Sequence, residues 1–361
     1  MQGIVDKLLS SKPYEKDTKL FLGALKEELK FHYKNCIEYK KFCDKKEFDP
    51  FKEYDLESIP YLPVSIFKKF ELLSVSKDEI IRTIHSSSTT GNLPSIISLD
   101  KITVNRQIIA LNSIIKDFLT EKKKSFVVLD DENTVKTNQL NLSSRGSAIR
   151  GMLLFAKGFD FVLDKNLELV KEKLQKAKNN CDLDNSCIFG FTWLIYQVIQ
   201  NNKNNKEITK ILSDIKQPKV LHIGGWKKLN NVNINKKQFD AQVSDFFNTS
   251  EENIIDVYGM TEQLGIVYPD CSAGNKHVPI FAEILIRDIN DQRILPNGKS
   301  GFIQILSPVP HSYPGISILT DDIGEIRGVD DCPCGRKGKY FIFKKRSEVA
   351  EPKGCGDTLE I

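Results

Sequence analysis

Apolar positions in the first fifty residues recur near helical spacing, with Leu20, Leu22, Leu25, Leu29 and Phe31 set in an otherwise polar segment. Pro60 and Pro63 break that rhythm within Ile59-Pro-Tyr-Leu-Pro-Val-Ser-Ile-Phe67. Short continuous apolar runs follow at 126–129, 187–191, 220–223 and 254–258, the pattern of buried strands. Stretches of helical period lie between them, at 105–118, 167–177 and 237–247. Strands alternating with helices predict an α/β fold whose sheet is partly parallel. In the last third, the strand-like segments 281–287, 301–306, 318–327 and 339–344 are separated by Pro/Gly turns, with little helix between them. They predict a smaller, mainly antiparallel β subdomain. The Asn- and Lys-rich piece 200–210 has little to bury and predicts a surface loop. No repeat marks a solenoid or propeller. The expected organisation is a helical segment at 1–58, an α/β core at 59–270, a β-rich subdomain at 271–346 and a tail at 347–361.

Composition narrows the class. The chain has 361 residues, 40% hydrophobic and 28% charged, an ordinary globular balance. Its 52 basic and 48 acidic residues leave a net charge of +4, too small an excess to argue for nucleic acid or an anionic membrane as partner. The short runs Lys122–Lys124 and Lys344-Lys345 read as solvated faces. No apolar stretch approaches the roughly 20 residues of a membrane span. The first residues lack a signal-peptide core, and eight cysteines in such a chain do not form a disulfide framework. The expected compartment is a reducing cytoplasm.

The candidate chemistry begins with Ser86-Ser-Ser-Thr-Thr-Gly-Asn-Leu-Pro-Ser95. Five consecutive hydroxyl residues followed by Gly91 supply donors and a pliable backbone for wrapping phosphate. Taken alone, such a run is more often a plain surface turn, and it is not a G-x-x-x-x-G-K-[ST] loop. Tyr258-Gly259-Met-Thr261-Glu262 follows a strand-like run, and open α/β sheets bind ligands at strand C-terminal ends. Its residue types suit a nucleotide: Tyr to stack, Thr to bond phosphate, Glu to hold a hard cation such as Mg²⁺. Thr320-Asp321-Asp322-Ile-Gly324 offers carboxylates to ribose hydroxyls, and Arg346 follows the last strand-like run, placed to reach an anion.

This ordered set resembles the adenylate-forming superfamily, whose members activate carboxylic acids with ATP. The resemblance implies the large N-terminal domain of those enzymes. It gives Thr89, Thr90 and Gly91 to the pyrophosphate, with Ser87 and Ser88 in the same cofactor-binding loop, Thr261 to the α-phosphate and Glu262 to Mg²⁺. Tyr258 and Gly259 would lie against the nucleotide, Asp322 on the ribose, and Arg346 at the hinge. Three positions depart from the family pattern: Ser88 stands where a glycine is usual, Ser95 where a lysine is usual, and Asp321 where the ribose motif has glycine. Loss of that lysine removes a mobile cation near the leaving pyrophosphate.

A closer likeness lies in Ile59–Lys68, His222-Ile-Gly224-Gly225-Trp226-Lys227 and Pro310-His-Ser-Tyr-Pro-Gly315. These resemble the LuxE-like acyl-protein synthetases, with phenylacetate–CoA ligases as more distant relatives. The likeness implies that Gly224 and Gly225 form the backbone beside the adenine; the residues alone also allow a tight turn with a half-buried Trp. The usual lid domain of about 100 residues has no room in the fifteen residues after Arg346. An acceptor for the acyl group is therefore sought in the tail. Cys355 lies between glycines in Glu351-Pro-Lys-Gly-Cys-Gly356, with Lys353 near enough in sequence to favour its thiolate. The likeness places an acyl-accepting cysteine there, with a partner reductase, transferase or carrier protein to remove the acyl group. The alternatives are an incidental tail thiol, a ligase passing acyl-AMP to coenzyme A, a carrier or an amine, and a catalytically silent nucleotide-binding subunit.

Cys332-Pro-Cys334-Gly-Arg336 is a C-x-C knuckle, and Cys271 and His277 lie in a turn-rich segment upstream. Together they make a Cys₃His set suited to structural Zn²⁺, or a group of small packed thiols. Some phenylacetate–CoA-ligase-like proteins resemble this chain in such residues. Cys36, Cys43, Cys181 and Cys187 show no grouping. No G-x-S-x-G supports a serine hydrolase, and His85 and His311 are read as hydrogen-bonded structural histidines, with the lining of an acyl site as the alternative.

Overall fold

The computed structural model describes residues 3–86, 94–119, 122–136, 141–225, 232 and 234–347. Helices α1 (Ile4–Leu9), α2 (Thr18–Asn35) and α3 (Ile37–Lys45) come first, followed by β1 (Leu62–Pro63) and α4 (Ile66–Lys69). Strands β2 (Ile80–His85) and β3 (Ile96–Asp100) lead into α5 (Lys101–Leu119). Then come β4 (Lys124–Leu129), α6 (Asn133–Lys136), β5 (Asn141–Ser143), α7 (Ser144–Leu153), β6 (Ala156–Phe161) and α8 (Lys171–Asn180). The alternation continues through β7 (Ser186–Phe191), α9 (Thr192–Asn202), α10 (Lys206–Ser213), β8 (Lys219–Ile223), α11 (Lys236–Phe247) and β9 (Ile254–Tyr258). The remaining strands are β10 (Tyr268–Pro269), β11 (Lys276–His277), β12 (Glu283–Arg287), β13 (Ser300–Leu306), β14 (Ser317–Val329) and β15 (Lys339–Arg346).

The chain divides into two compact units. The first comprises residues 1–114, 138–144 and 260–361, and the second residues 115–137 and 145–259. In the second unit, five parallel strands run in the order β6-β4-β7-β8-β9. The middle strands are buried on both faces because their residues are continuously apolar. Leu174, Ile188, Leu194, Ile195, Val198, Phe239 and Val243 pack in one cluster between sheet and helices. One expectation fails here. Much of 200–210 is helical rather than loop, since α9 continues to Asn202 and α10 starts at Lys206. The Asn205 side chain caps α10, accepting from the backbone N–H of Glu207 at 3.1 Å and of Ile208 at 3.3 Å. A polar average hid a one-sided stripe, Ile208, Ile211 and Leu212, which the helix buries.

In the first unit, the predicted antiparallel strands form a sheet in the order β11-β15-β14-β13-β12, with β1 added parallel to β14. A second, three-stranded sheet, β3-β2-β5, stands beside the hydroxyl-rich segment. Helix α2 starts at Asp17, whose carboxylate accepts from Leu20 N–H at 2.9 Å. It buries Ala24, Leu25, Glu28, Leu29 and His32, whereas Leu22 points outward. A carboxylate and an imidazole on an apolar stripe need polar partners, and the chain supplies them from far away in sequence.

Candidate active site

In the first unit, β2 and β3 pair antiparallel and flank the hydroxyl-rich segment. Ser86 N–H donates to the Ser95 carbonyl at 3.0 Å, and Ser95 N–H donates to Ser86 Oγ at 2.8 Å, closing the base of the segment. Ser87, Ser88, Thr89, Thr90 and Gly91 themselves lie outside the described residues. Thr261 and Glu262 form a single 3₁₀ turn, Thr261–Gln263, after the extended Met260. The Glu262 side chain is buried. Burial pushes its carboxyl above the ordinary value, while the Ser95 hydroxyl, a local backbone donor, Arg346 and Lys68 act in the opposite direction. Such a carboxyl gains from a cation beside it. Gly265 ends this segment at φ +89°, and a Cβ there would stand 2.5 Å from Gln107 Cα, so only glycine fits.

The ribose motif occupies β14. Thr320 Oγ1 donates to the Ile303 carbonyl at 2.8 Å and accepts from Asp322 N–H at 3.1 Å, locking the turn in the strand. Asp322 is directly opposite Arg346 in the β14–β15 register. Arg346 Nη2 lies 3.4 Å from Asp321 Oδ2, so the residue that stands where the family pattern has glycine is a partner of Arg346.

In the second unit, Tyr258 ends β9 and Gly259 follows it. Gly224 and Gly225 follow β8 at φ +97° and +59°, in the left-handed region. A Cβ on Gly224 would meet the Phe191 ring at 2.5 Å, so an aromatic face lies against that backbone. Just before it, His222 is fully buried, with Thr192 Oγ1 3.0 Å from Nδ1 and Asp256 Oδ1 3.6 Å from the same nitrogen. Trp226 and Lys227 lie outside the described residues, as does Cys355.

The structure adds a buried polar network that sequence reasoning missed. Glu28 Oε1 accepts from Arg106 Nη1 at 2.7 Å, and Glu28 Oε2 is 3.1 Å from His311 Nδ1. His311 also stacks on Phe31 with ring centroids 4.1 Å apart. His32 is fully buried, which pushes its pKa down to about 4 and keeps it neutral near pH 7. Its Nε2 then donates to the Pro310 carbonyl at 3.2 Å, and its Nδ1 accepts from the Ser74 hydroxyl at 2.7 Å. The signal available in sequence was Glu28 and His32, four residues apart, on the stripe carrying Leu25 and Leu29. No local pattern names their partners.

Cys271, His277, Cys332 and Cys334 come together, with ligand atoms all within 4.8 Å of one another. Two similar turns present the thiols. Gly274 N–H donates to the Cys271 carbonyl at 2.8 Å and Gly335 N–H to the Cys332 carbonyl at 3.0 Å, each glycine at positive φ. Cys271 and Cys332 sulfurs are 3.8 Å apart, and Cys334 Sγ is 3.2 Å from His277 Nε2. Tetrahedral Zn²⁺ with bonds of about 2.3 Å separates its sulfur ligands by about 3.8 Å, so the donor set fits that ion. Burial pushes the Cys36, Cys43 and Cys187 thiols up to about 11, 12 and 12, and Cys271 likewise to about 12; what sets Cys271 apart is its grouping with His277, Cys332 and Cys334.

The crystal structure of 2-hydroxyisobutyryl-CoA ligase in complex with 2-HIB-AMP and CoA shares this fold. Its TM-score is 0.70 at 14% identity, covering 91% of this chain and 69% of that one. The fold is therefore that of an adenylate-forming enzyme. The acyl-protein synthetase LuxE family profile matches residues 2–361, and the chain belongs to that family. Similar proteins include the long-chain-fatty-acid–luciferin-component ligase of Vibrio harveyi, 25% identical over 93% of this chain and 86% of that protein. The ligase of the same name from Aliivibrio fischeri is 25% identical over 99% of this chain and 93% of its own length. The chain is thus a ligase that activates a carboxylic acid as its acyl-adenylate and transfers the acyl group. Among the described residues no helix is long and apolar enough to cross a membrane.

Proposed function

We propose that this ligase activates a long-chain fatty acid with MgATP and passes the acyl group to its own Cys355. The observation that carries the reading is the buried Glu262 in its fixed turn, with Ser95, Lys68 and Arg346 acting on its carboxyl, in a chain matched by the family along 2–361. The names of the Vibrio and Aliivibrio relatives supply the acid class. The fatty carboxylate attacks the α-phosphorus and pyrophosphate leaves. The Cys355 thiolate then attacks the acyl carbon, forming a thioester and expelling AMP. Glu262 would hold Mg²⁺, which offsets charge on the phosphates. Ser87–Gly91 and Thr261 would bond phosphate oxygens, Asp322 the ribose, and Tyr258, Gly259, Gly224 and Gly225 the adenine side, with Arg346 beside Asp321 at the hinge. A reductase, transferase or carrier protein would collect the acyl group. The setting is cytoplasmic, in keeping with the free thiols of the described cysteines.

Cys271, His277, Cys332 and Cys334 would hold a structural Zn²⁺, tying the turn before β11 to the turn between β14 and β15. The test of the activation step is ATP–pyrophosphate exchange across fatty acids of graded length. Glu262→Ala is expected to reduce exchange more than about 100-fold, and unchanged acid-dependent exchange would refute the reading. Cys355→Ser should keep exchange while losing the covalent acyl mass; an acyl-enzyme surviving in that variant would refute the acceptor assignment.

A further inference from the structure

The segment 308–315 is gripped along its length by groups of the first unit. Arg106 Nη1, already paired with Glu28, reaches the Pro308 carbonyl at 3.5 Å, and His32 Nε2 holds the Pro310 carbonyl. The N–H groups of His311 and Ser312 both donate to Thr103 Oγ1, at 3.1 and 2.9 Å. Ser312 Oγ donates to the Ser98 carbonyl at 2.8 Å, and the Ser312 carbonyl accepts from Ser74 N–H at 2.8 Å. Next to this clamp is Tyr313, fully buried, with its ring edge-to-face on Phe67 at 5.9 Å. Its hydroxyl donates to the Glu262 carbonyl at 2.8 Å. The neighbouring Gln263 Nε2 donates to the Gly315 carbonyl.

We infer that Tyr313 is a positioning residue for Glu262, fixing the peptide from which the metal-holding carboxylate projects, and that Glu28, Arg106 and His311 hold Tyr313 in place. The physical need is plain. Thr261–Gln263 is a single 3₁₀ turn with no helix behind it; the Gln263 carbonyl accepts from the Ile266 N–H at 3.2 Å, whereas the Glu262 carbonyl takes its donor from Tyr313. Without the phenol O–H, a buried carbonyl loses its partner and the turn can rotate to find another, carrying the carboxylate with it. The inference rests on the proposed role of Glu262 in holding Mg²⁺.

The test removes one oxygen. Tyr313→Phe keeps the ring on Phe67, and Tyr39→Phe, a buried tyrosine in α3, serves as the control. Half-saturating Mg²⁺ for exchange, KM for a long-chain fatty acid and the thermal midpoint are measured for both and for Glu262→Gln. Tyr313→Phe should raise half-saturating Mg²⁺ about five- to tenfold. The acid KM should match that of Tyr39→Phe, while the midpoint falls because the Glu262 carbonyl is left without its donor. A general packing defect would instead raise the acid KM together with the Mg²⁺ requirement. If Glu262→Gln raises the Mg²⁺ requirement and Tyr313→Phe does not, the positioning role is overturned while the reading of Glu262 stands. If Glu262→Gln leaves the Mg²⁺ requirement unchanged, the reading of Glu262 falls and takes this inference with it.

Discussion

The two units are held together by different physics. In the second, neighbouring strands are 32 to 61 positions apart and the interior is a largely apolar parallel sheet, with His222 beside Asp256 as one of few buried polar pairs. In the first, the interior includes paired charges and polar contacts spanning most of the chain. Glu28 and His311 are 283 residues apart, and Lys276 and Asp270 form a 2.9 Å pair that is almost wholly buried. Apolar packing is forgiving of exact partner and indifferent to pH, whereas buried polar pairs require specific partners in specific protonation states. Buried polar pairs are thus concentrated in the first unit, while the second has His222 beside Asp256 and Arg145 on Asp130 within a mostly apolar interior.

That contrast is sharpened most strongly by stripping metal. If Zn²⁺ occupies the Cys₃His set, a chelator strong enough to remove it should lower stability by about 4 kcal/mol or more, as for a ligand present at a thousandfold excess over Kd. Metal analysis before and after, with the unfolding midpoint, checks this; an equal midpoint in stripped protein would remove metal from the account. Leu221→Ala, in the buried strand β8, should cost about 3 kcal/mol through the cavity it leaves, and by the same amount at pH 7 and pH 5. Urea titration at both values would show it. Gly265→Ala should cost about 2 kcal/mol, from positive φ and the approach to Gln107, and should weaken exchange by disturbing the adjoining Thr261–Gln263 turn.

The smallest effect concerns acid. His32 titrates near 6.5 when unfolded and near 4 in the folded protein, because burial disfavours its charged form. Between those values the unfolded chain binds more protons. Stability is therefore complete above about pH 6.5 and falls as pH drops toward 4, with about 2 kcal/mol lost by pH 5. His32→Gln should flatten that part of a stability–pH curve, and an unaltered slope would place the acid sensitivity elsewhere.

What could be read from sequence follows the same line. The strands at β4, β7, β8 and β9 announce themselves because apolar runs are local signals, and the strands β12–β15 because turns punctuate them. Strand β2 carries half-exposed residues in mixed order, and β6 is largely exposed, so neither leaves a clean period. At the site, Tyr258–Glu262 and the Cys/His set were legible as residue types at fixed spacing. Arg106, Tyr313 and the partners of Glu28 were not, because their meaning lies in contacts across 50 to nearly 300 positions. The pairing of Asp321 with Arg346 gives one departure from the ribose motif a physical role that the motif comparison alone did not.

The two glycine-ended knuckles bear on the unfolded chain as much as on the folded one. Cys271 and Cys332 are 61 residues apart, and the loop between them contains β11 through β14. A metal joining them would forbid most of the wide conformations that stretch of chain otherwise explores. In the chain-entropy picture, a permanent cross-link closing a loop of that size is worth about 4 kcal/mol. A metal that bound before the sheet formed would thus act as a temporary tether, holding β12, β13 and β14 in a small volume while they find their register. Zinc supplied at the start of refolding would then speed the appearance of this sheet, and the same zinc added after folding would not.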